Sequence, residues 1–141
     1  PKKNIGRPRA REVAARHARL AVELARAKNL SQRVVRALES KHNELWLSPI
    51  STWELLMLVE RNRVSLKMDV NEWVANAMDT VPLREAPITH EVALETQRVG
   101  LMHRDPTDRF LAATAKVFEL TLVTADKRMI AVKGLPTLAN R

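Results

Sequence analysis

The spacing of apolar residues changes several times along the chain, and each change predicts a helix or a strand. ELWLS at 44–48 and LTLVT at 120–124 are short apolar runs, which are typical of strands. STWELLMLVERNR at 51–63 has apolar residues three and four positions apart, which predicts a helix. DPTDRFLAATAKVFE at 105–119 begins with Asp-Pro and continues with good helix formers, so it predicts another helix.

Weaker patterns predict the remaining elements. They are a helix capped by Ser31, a helix over roughly Val70–Met78, a short strand within 81–88, a helix from Thr89 to about Val99, a short helix from Asp126 and a strand near Leu135–Leu138. Strands separated by helices favour an α/β three-layer fold with a mostly parallel central sheet.

The first 28 residues differ from the rest in pattern and in charge. Residues 12–28 are rich in alanine and arginine and predict a helix. Residues 1–28 carry nine basic and two acidic side chains, a net +7, which leaves +1 for the other 113 residues of this +8 chain. We therefore divide the chain into an atypical basic segment, 1–28, and a nearly neutral domain, 29–141.

Composition narrows the classes of function. The 141-residue chain has no cysteine, which excludes disulfides and thiolate metal sites, and three glycines, which disfavours glycine-rich phosphate loops. Neither a membrane-spanning run nor a signal peptide is expected, so we predict a cytoplasmic protein without membrane contact.

Four carboxylates stand at helix starts, where each has a structural explanation. Ser51 and Glu54 form an S-x-x-E capping box, and Asp105 precedes Pro106 as an N-cap. Asp108 lies in the first turn of the same helix, where the free N–H groups favour a carboxylate, and Asp126 could cap the last short helix. Taken one at a time, none of them indicates catalysis.

Their joint placement is more informative. Glu54 and Asp126 each follow a predicted strand by a short loop, and Asp108 begins a helix that would pack on the same sheet. In open parallel sheets, ligands bind beyond the carboxyl ends of the strands. Clustered carboxylates favour a divalent cation, and an all-oxygen site suits Mg²⁺ or Mn²⁺. A metal-dependent hydrolase is one function consistent with this arrangement.

Two segments resemble the PIN-domain ribonucleases of the VapC toxin type. LSPISTWELLMLVERNRV resembles the turn that leads into that family's acidic helix, and HRDPTDRFLAATAKVFELTLVTADKRM resembles its signature even more closely. The resemblance implies a Mg²⁺-dependent (or Mn²⁺-dependent) endoribonuclease that acts on RNA and is held inactive by a VapB-like antitoxin. It also implies that homodimers occur.

The same resemblance assigns residue roles. Glu54, Asp108 and Asp126 would be the catalytic and metal-binding acids, with Asp105 as an auxiliary catalytic carboxylate. Ser51, Thr124 and Arg109 would support the site or meet the substrate. Trp46, Trp53 and Trp73 are expected in the core, with contact to RNA bases or to the antitoxin as the alternative.

The family's first strand, which supplies a further aspartate, is not visible in this sequence. A back-translation of residues 12–28 with chosen synonymous codons, read one base later, gives RLLLDTHVWLWSWLEP, which resembles that strand. We therefore hypothesise that residues up to about Lys28 are out of frame and that the aspartate is encoded where Arg16 stands. In that case the chain as written has weak ribonuclease activity or none.

Two other functions stay open at this point. One is a decayed PIN domain that binds an antitoxin or RNA without cutting. The other is a nucleic-acid binder that uses the basic N-terminal helix, because lysine and arginine neutralise phosphates. A metal-linked rise in melting temperature would separate the enzyme from the decayed domain. Removal of residues 1–28 would test the third function.

Overall fold

The computed structural model describes residues 18–22, 30–100 and 105–141. Its strands are β1 Arg19–Ala21, β2 Glu44–Leu47, β3 Leu83–Glu85, β4 Thr121–Thr124 and β5 Thr137–Ala139. The helices of the described residues are α1 Gln32–Glu39, α2 Pro49–Glu60, α3 Val70–Thr80, α4 His90–Glu95, α5 Pro106–Val117 and α6 Lys127–Ile130.

The five strands form one sheet in the order β3-β2-β1-β4-β5. All four strand pairs are parallel, and β1 lies at the centre, with Leu20 opposite Leu45 of β2 and Thr121 of β4. Parallel neighbours need crossover connections, which the helices between the strands supply. The predicted α/β fold with a mostly parallel sheet is confirmed.

β1 corrects the expectation for the N-terminal segment. Residues 19–21 were predicted to be helical and to stand in place of a missing first strand, but they are a strand in the middle of the sheet. Leu20 and Ala21 are buried there, and their β-sheet partners on both sides outweigh the helical preference of an Ala/Arg-rich sequence. The predicted division at residue 28 would therefore separate β1 from the other four strands of its sheet.

Apolar side chains cover both faces of the sheet. Because side chains alternate along a strand, Leu20, Leu45 and Val123 face one way and pack with Val34 of α1. Ala21 and Leu122 belong to a second cluster with the buried face of α5. Strands buried on both faces explain the continuous apolar run of LTLVT.

Most element boundaries agree with the prediction to within a few residues. α2 begins at Pro49, two residues early, because Ser48 caps it by accepting a hydrogen bond from the Ile50 N–H at 3.1 Å. Ser51 is thus inside the helix, and the predicted capping box is wrong. α4 ends at Glu95, before the expected Val99, and β5 is centred on Leu138.

The three tryptophans differ in burial. Trp46 and Trp73 pack partly buried against the core clusters, as expected. The side chain of Trp53 is 51% exposed, so its prediction as a core residue is wrong. Among the described helices, none is long and apolar enough to cross a membrane.

Candidate active site at the carboxyl edge of the sheet

The strand order places a topological switch point beside β1. From β1 the chain builds the sheet towards β2 and β3, and then returns to the other side of β1 with β4 and β5. Ligands of open α/β sheets bind beyond the carboxyl ends of the strands at such a point. Asp126 follows β4 by two residues on this edge.

Asp126 is held by its own helix and by the strand before it. Its Oδ1 accepts a hydrogen bond from the Arg128 N–H at 2.9 Å, as the N-cap of α6. The Asp126 N–H donates to Oγ1 of Thr124 at 3.1 Å, and Thr124 is only 3% exposed. The predicted cap is confirmed, and the buried hydroxyl fixes where the Asp126 backbone lies.

Asp105 and Asp108 share the start of α5. Asp105 is the N-cap and accepts from the Thr107 N–H at 3.0 Å, as predicted. Asp108 lies in the first turn, where the positive end of the helix dipole stabilises a carboxylate. Asp105 is exposed and Asp108 is half-buried, so both lie where solvent reaches the edge of the sheet.

The guanidinium of Arg128 contacts Asp126. Its Nε and one terminal nitrogen donate to the two oxygens of Asp126 at 3.2 and 3.0 Å. The hydrogen bond and the negative charge of Asp126 raise the pKa of Arg128 above its usual value, and the charges of Asp108 and Asp105 add to this. Within the described part of the chain, the hydrogen bonds of the Arg128 guanidinium are with Asp126, whereas the charges of Asp108 and Asp105 act on it from a greater distance.

Arg109 fastens the helix that carries Asp108. One of its terminal nitrogens donates to the carbonyl oxygen of Thr96, the C-cap of α4, at 3.1 Å. Its backbone N–H donates to the carbonyl oxygen of Asp105 at 3.2 Å. These contacts hold the start of α5 in place. The contact of Arg109 with substrate stays a prediction.

Glu54 and Ser51 lie on α2, which packs against α5. Glu54 is half-buried in the second turn of the helix. Ser51 is 1% exposed, and its Oγ is the buried side-chain polar atom that has no hydrogen-bond partner within the described part of the chain. A buried hydroxyl without a partner costs stability and calls for an explanation.

The candidate metal ligands at this edge are of the type that a hard cation prefers, because their ligating side-chain atoms are oxygens. Within the described residues, however, no three Asp, Glu or His side chains lie close enough together to hold a metal ion. Among the described residues, the guanidinium of Arg128 contacts both carboxylate oxygens of Asp126. A divalent ion would have to share or replace that contact.

Sequence reasoning missed Arg128. The available signal was an arginine two residues after a capping aspartate, within reach of the same carboxylate. It also missed Ser48, although Ser-Pro at the start of a helix is a common N-terminal pattern.

The comparison with known families decides the class of protein. The sequence pattern of the PIN domain matches residues 10–135. The chain belongs to the PIN-domain family. This PIN domain is 33% identical over 108 residues to ribonuclease VapC22 of Mycobacterium tuberculosis, a stretch that covers 74% of the chain and 79% of the relative.

Two solved structures share the fold of this PIN domain. VapBC2 from Rickettsia felis, bound to a DNA fragment from its promoter, has a TM-score of 0.65 at 16% identity, covering 86% of this chain and 98% of the other. VapBC-5 from Mycobacterium tuberculosis, of the VapBC toxin–antitoxin family, has a TM-score of 0.55 at 16% identity, covering 89% and 98%. Together with the curated relative, they identify a PIN domain of the VapC type.

Proposed function

We propose that this PIN domain is a metal-dependent endoribonuclease of the toxin type, controlled by a VapB-like antitoxin. The observation that carries the proposal is the placement of Asp105 and Asp108 at the start of α5 and of Asp126 after β4, at the edge where open α/β sheets bind ligands. The acids come from two segments far apart in sequence, which ordinary helix capping does not require. A cytoplasmic location, where RNA is met, is part of the proposal.

Glu54, Asp108 and Asp126 would hold Mg²⁺ or Mn²⁺, with Asp105 beside them. The ion would activate a water molecule and offset the negative charge on the phosphodiester. The chain's own residues supply the positions: Thr124 fixes the turn after β4, and Arg109 fixes the start of α5. Ser51, whose hydroxyl has no partner within the described residues, would serve the same edge from α2.

Cleavage of a labelled RNA in Mg²⁺ or Mn²⁺, with EDTA as the blank, tests this function. Asp108→Asn keeps the size of the side chain and removes its charge, and we expect it to abolish cleavage. Asp79→Asn is the matched control, because Asp79 is an exposed aspartate in the last turn of α3. Cleavage that persists in EDTA, or that survives Asp108→Asn, would contradict the proposal.

An apolar groove is the surface we assign to the antitoxin. It has a volume of about 280 Å³ and lies between α2, α3 and the end of β2, with Leu47, Trp53, Leu56, Val74 and Met78 among its lining residues. Trp53 is 51% and Met78 is 40% exposed. Exposed apolar surface of this kind marks protein-binding sites, and both structural relatives are VapBC toxin–antitoxin proteins.

Trp53→Glu should therefore weaken binding to the antitoxin encoded beside this chain, measured by titration calorimetry. Leu94→Glu is the control, since Leu94 of α4 is 66% exposed and does not line the groove. Equal binding by both variants would contradict the assignment. If Trp53→Glu weakens binding and no RNA is cut, the chain is the decayed binding module that the sequence left open.

A further inference from the structure

The domain after residue 28 is nearly neutral as a whole, but its charge is unevenly distributed. Residues 30–43 and 125–141 together carry seven basic and two acidic side chains, a net +5. Residues 69–85 carry one basic and four acidic side chains, a net −3. The first two ranges contain α1 and β5, and the third contains α3 and β3. Because β5 and β3 are the two outer strands of the sheet, the positive and the negative charge lie towards opposite edges.

The start of α1 lies beside the end of β5. The N–H of Ser31, the N-cap of α1, donates to Oδ1 of Asn140 at 2.7 Å, and α1 and β5 share an apolar cluster. The Asn140 N–H donates to the carbonyl oxygen of Thr124, the last residue of β4, at 2.9 Å. This corner of the sheet therefore adjoins the turn that leads to Asp126 and to the candidate active site.

Three exposed arginines lie near this corner. Arg33 and Arg36 are three residues apart on α1, so their side chains share one side of the helix. Arg141 directly follows Asn140. Among the described residues, none of these three arginines is part of an ion pair. We call Arg33, Arg36 and Arg141 the basic edge.

We propose that the basic edge binds the phosphodiester backbone of RNA beside the candidate active site. Guanidinium groups match phosphate in charge and in geometry, because two parallel N–H groups can donate to one phosphate. Binding also releases counterions from the RNA, which increases the affinity at low salt. The inference rests on the proposed function, since the neighbouring site is what makes RNA the expected polyanion.

The opposite edge of the sheet fits a different partner. The groove assigned to the antitoxin has Glu85 of β3 among its lining residues, so it lies on the acidic side of the domain. Negative charge there repels phosphates. RNA and the antitoxin would therefore make their main contacts at different edges of the sheet.

Fluorescence anisotropy of a labelled RNA in EDTA tests the inference on the full chain, without metal and without cleavage. A variant with Arg33→Gln, Arg36→Gln and Arg141→Gln should bind RNA about 10-fold to 100-fold more weakly at about 0.1 M salt. The slope of log affinity against log salt should become shallower by about 2, since each lost phosphate contact contributes about 0.7 on a single strand.

Two further variants serve as controls, and both keep residues 1–28. Arg61→Gln, Arg63→Gln and Lys67→Gln together remove the same charge from the exposed residues between α2 and α3. That variant should bind within about 3-fold of the unchanged chain, because distant charge is screened by salt. Lysine in place of the three arginines of the basic edge keeps the charge and should retain most of the affinity.

A loss confined to the glutamine variant of the basic edge, with retention by its lysine variant, supports the inference. An equal loss in both glutamine variants reduces the effect to net charge and overturns the inference. Undiminished affinity of the basic-edge glutamine variant also overturns it, and so does an unchanged chain that binds no RNA. If the basic edge is required for binding but the unchanged chain cuts no RNA in Mg²⁺, the inference stands and the proposed enzyme activity fails.

Discussion

The two ends of the sheet each pair an acidic side chain with arginine, but the two pairings are built from different elements. At the amino end, Glu44 accepts from the indole N–H of Trp46 at 2.8 Å and pairs with Arg84 at 3.2 Å and Arg19 at 4.0 Å. Both guanidiniums also lie over the Trp46 ring, at 4.7 and 5.9 Å from its centre. We call these four residues the amino-end cluster.

The carboxyl-end cluster consists of Asp105, Asp108, Asp126 and Arg128. Among the described residues, Asp126 pairs here with Arg128 of its own helix, whereas at the amino end Glu44 faces two arginines from two other strands. The amino-end cluster supplies an acceptor for the indole N–H of Trp46 and joins three strands, so the fold itself explains its contacts. The acids of the carboxyl-end cluster come from α5 and from the turn after β4, at the edge where open α/β sheets bind ligands, and the proposed metal site lies there.

The largest expected difference between the clusters is in metal binding. Asp126→Asn keeps a good N-cap for α6 but removes a charged ligand. It should lower Mn²⁺ affinity by at least about 10-fold to 100-fold. The measurement is the rise in melting temperature with added Mn²⁺, which follows from binding to the folded state. Glu44→Gln should leave that rise unchanged, and a loss of the rise in both variants would contradict the comparison.

A smaller effect is expected on the free energy of unfolding, and it comes from a change in the amino-end cluster. Glu44→Ala leaves the indole N–H of Trp46 without its acceptor and leaves two arginines facing each other. It should lower the free energy of unfolding by about 1–2 kcal/mol, measured by urea denaturation. The Mn²⁺-linked rise in melting temperature should remain. An unchanged free energy of unfolding would mean that the amino-end cluster does not support the fold.

The smallest effects are expected for the two serines at the start of α2, beyond the carboxyl end of β2. Their replacement should change the free energy of unfolding in opposite directions. Ser51→Ala removes a buried hydroxyl that has no partner among the described residues, and it should raise the free energy of unfolding by up to about 1 kcal/mol. Ser48→Ala removes the N-cap and should lower it by about 1 kcal/mol. Destabilisation by Ser51→Ala would show that its hydroxyl serves the fold, and would weaken its assignment to the site.

The elements that sequence predicted well are those decided by local chemistry. The Asp-Pro start of α5 reflects an N-cap, and the apolar run of β4 reflects burial on both faces. Each of these signals lies within a single segment of the sequence. β1 was not predictable in this way, because three Ala/Arg-flanked residues become a strand only through pairing with β2 and β4. Its position in the sheet is a tertiary effect.

The candidate site was predictable only in part for the same reason. Asp105 and Asp126 were recognised as caps, and the family resemblance joined them to Asp108. The contact between Arg128 and Asp126 joins residues two positions apart, whereas the placement of the start of α5 at the same edge of the sheet depends on tertiary packing. The hypothesis of an out-of-frame N-terminus stays a prediction: residues 18–22 contain no acid, and Arg16 lies outside the described residues.

The most direct test of the central claim is the rate of Mg²⁺-dependent cleavage of one RNA by two chains. One is the chain as written, and the other carries RLLLDTHVWLWSWLEP at residues 12–27, with an aspartate at position 16. We predict weak or no cleavage by the first, and strong cleavage by the second that Asp108→Asn abolishes. Equal rates for the two chains, or cleavage that is indifferent to Asp108→Asn, would contradict the account.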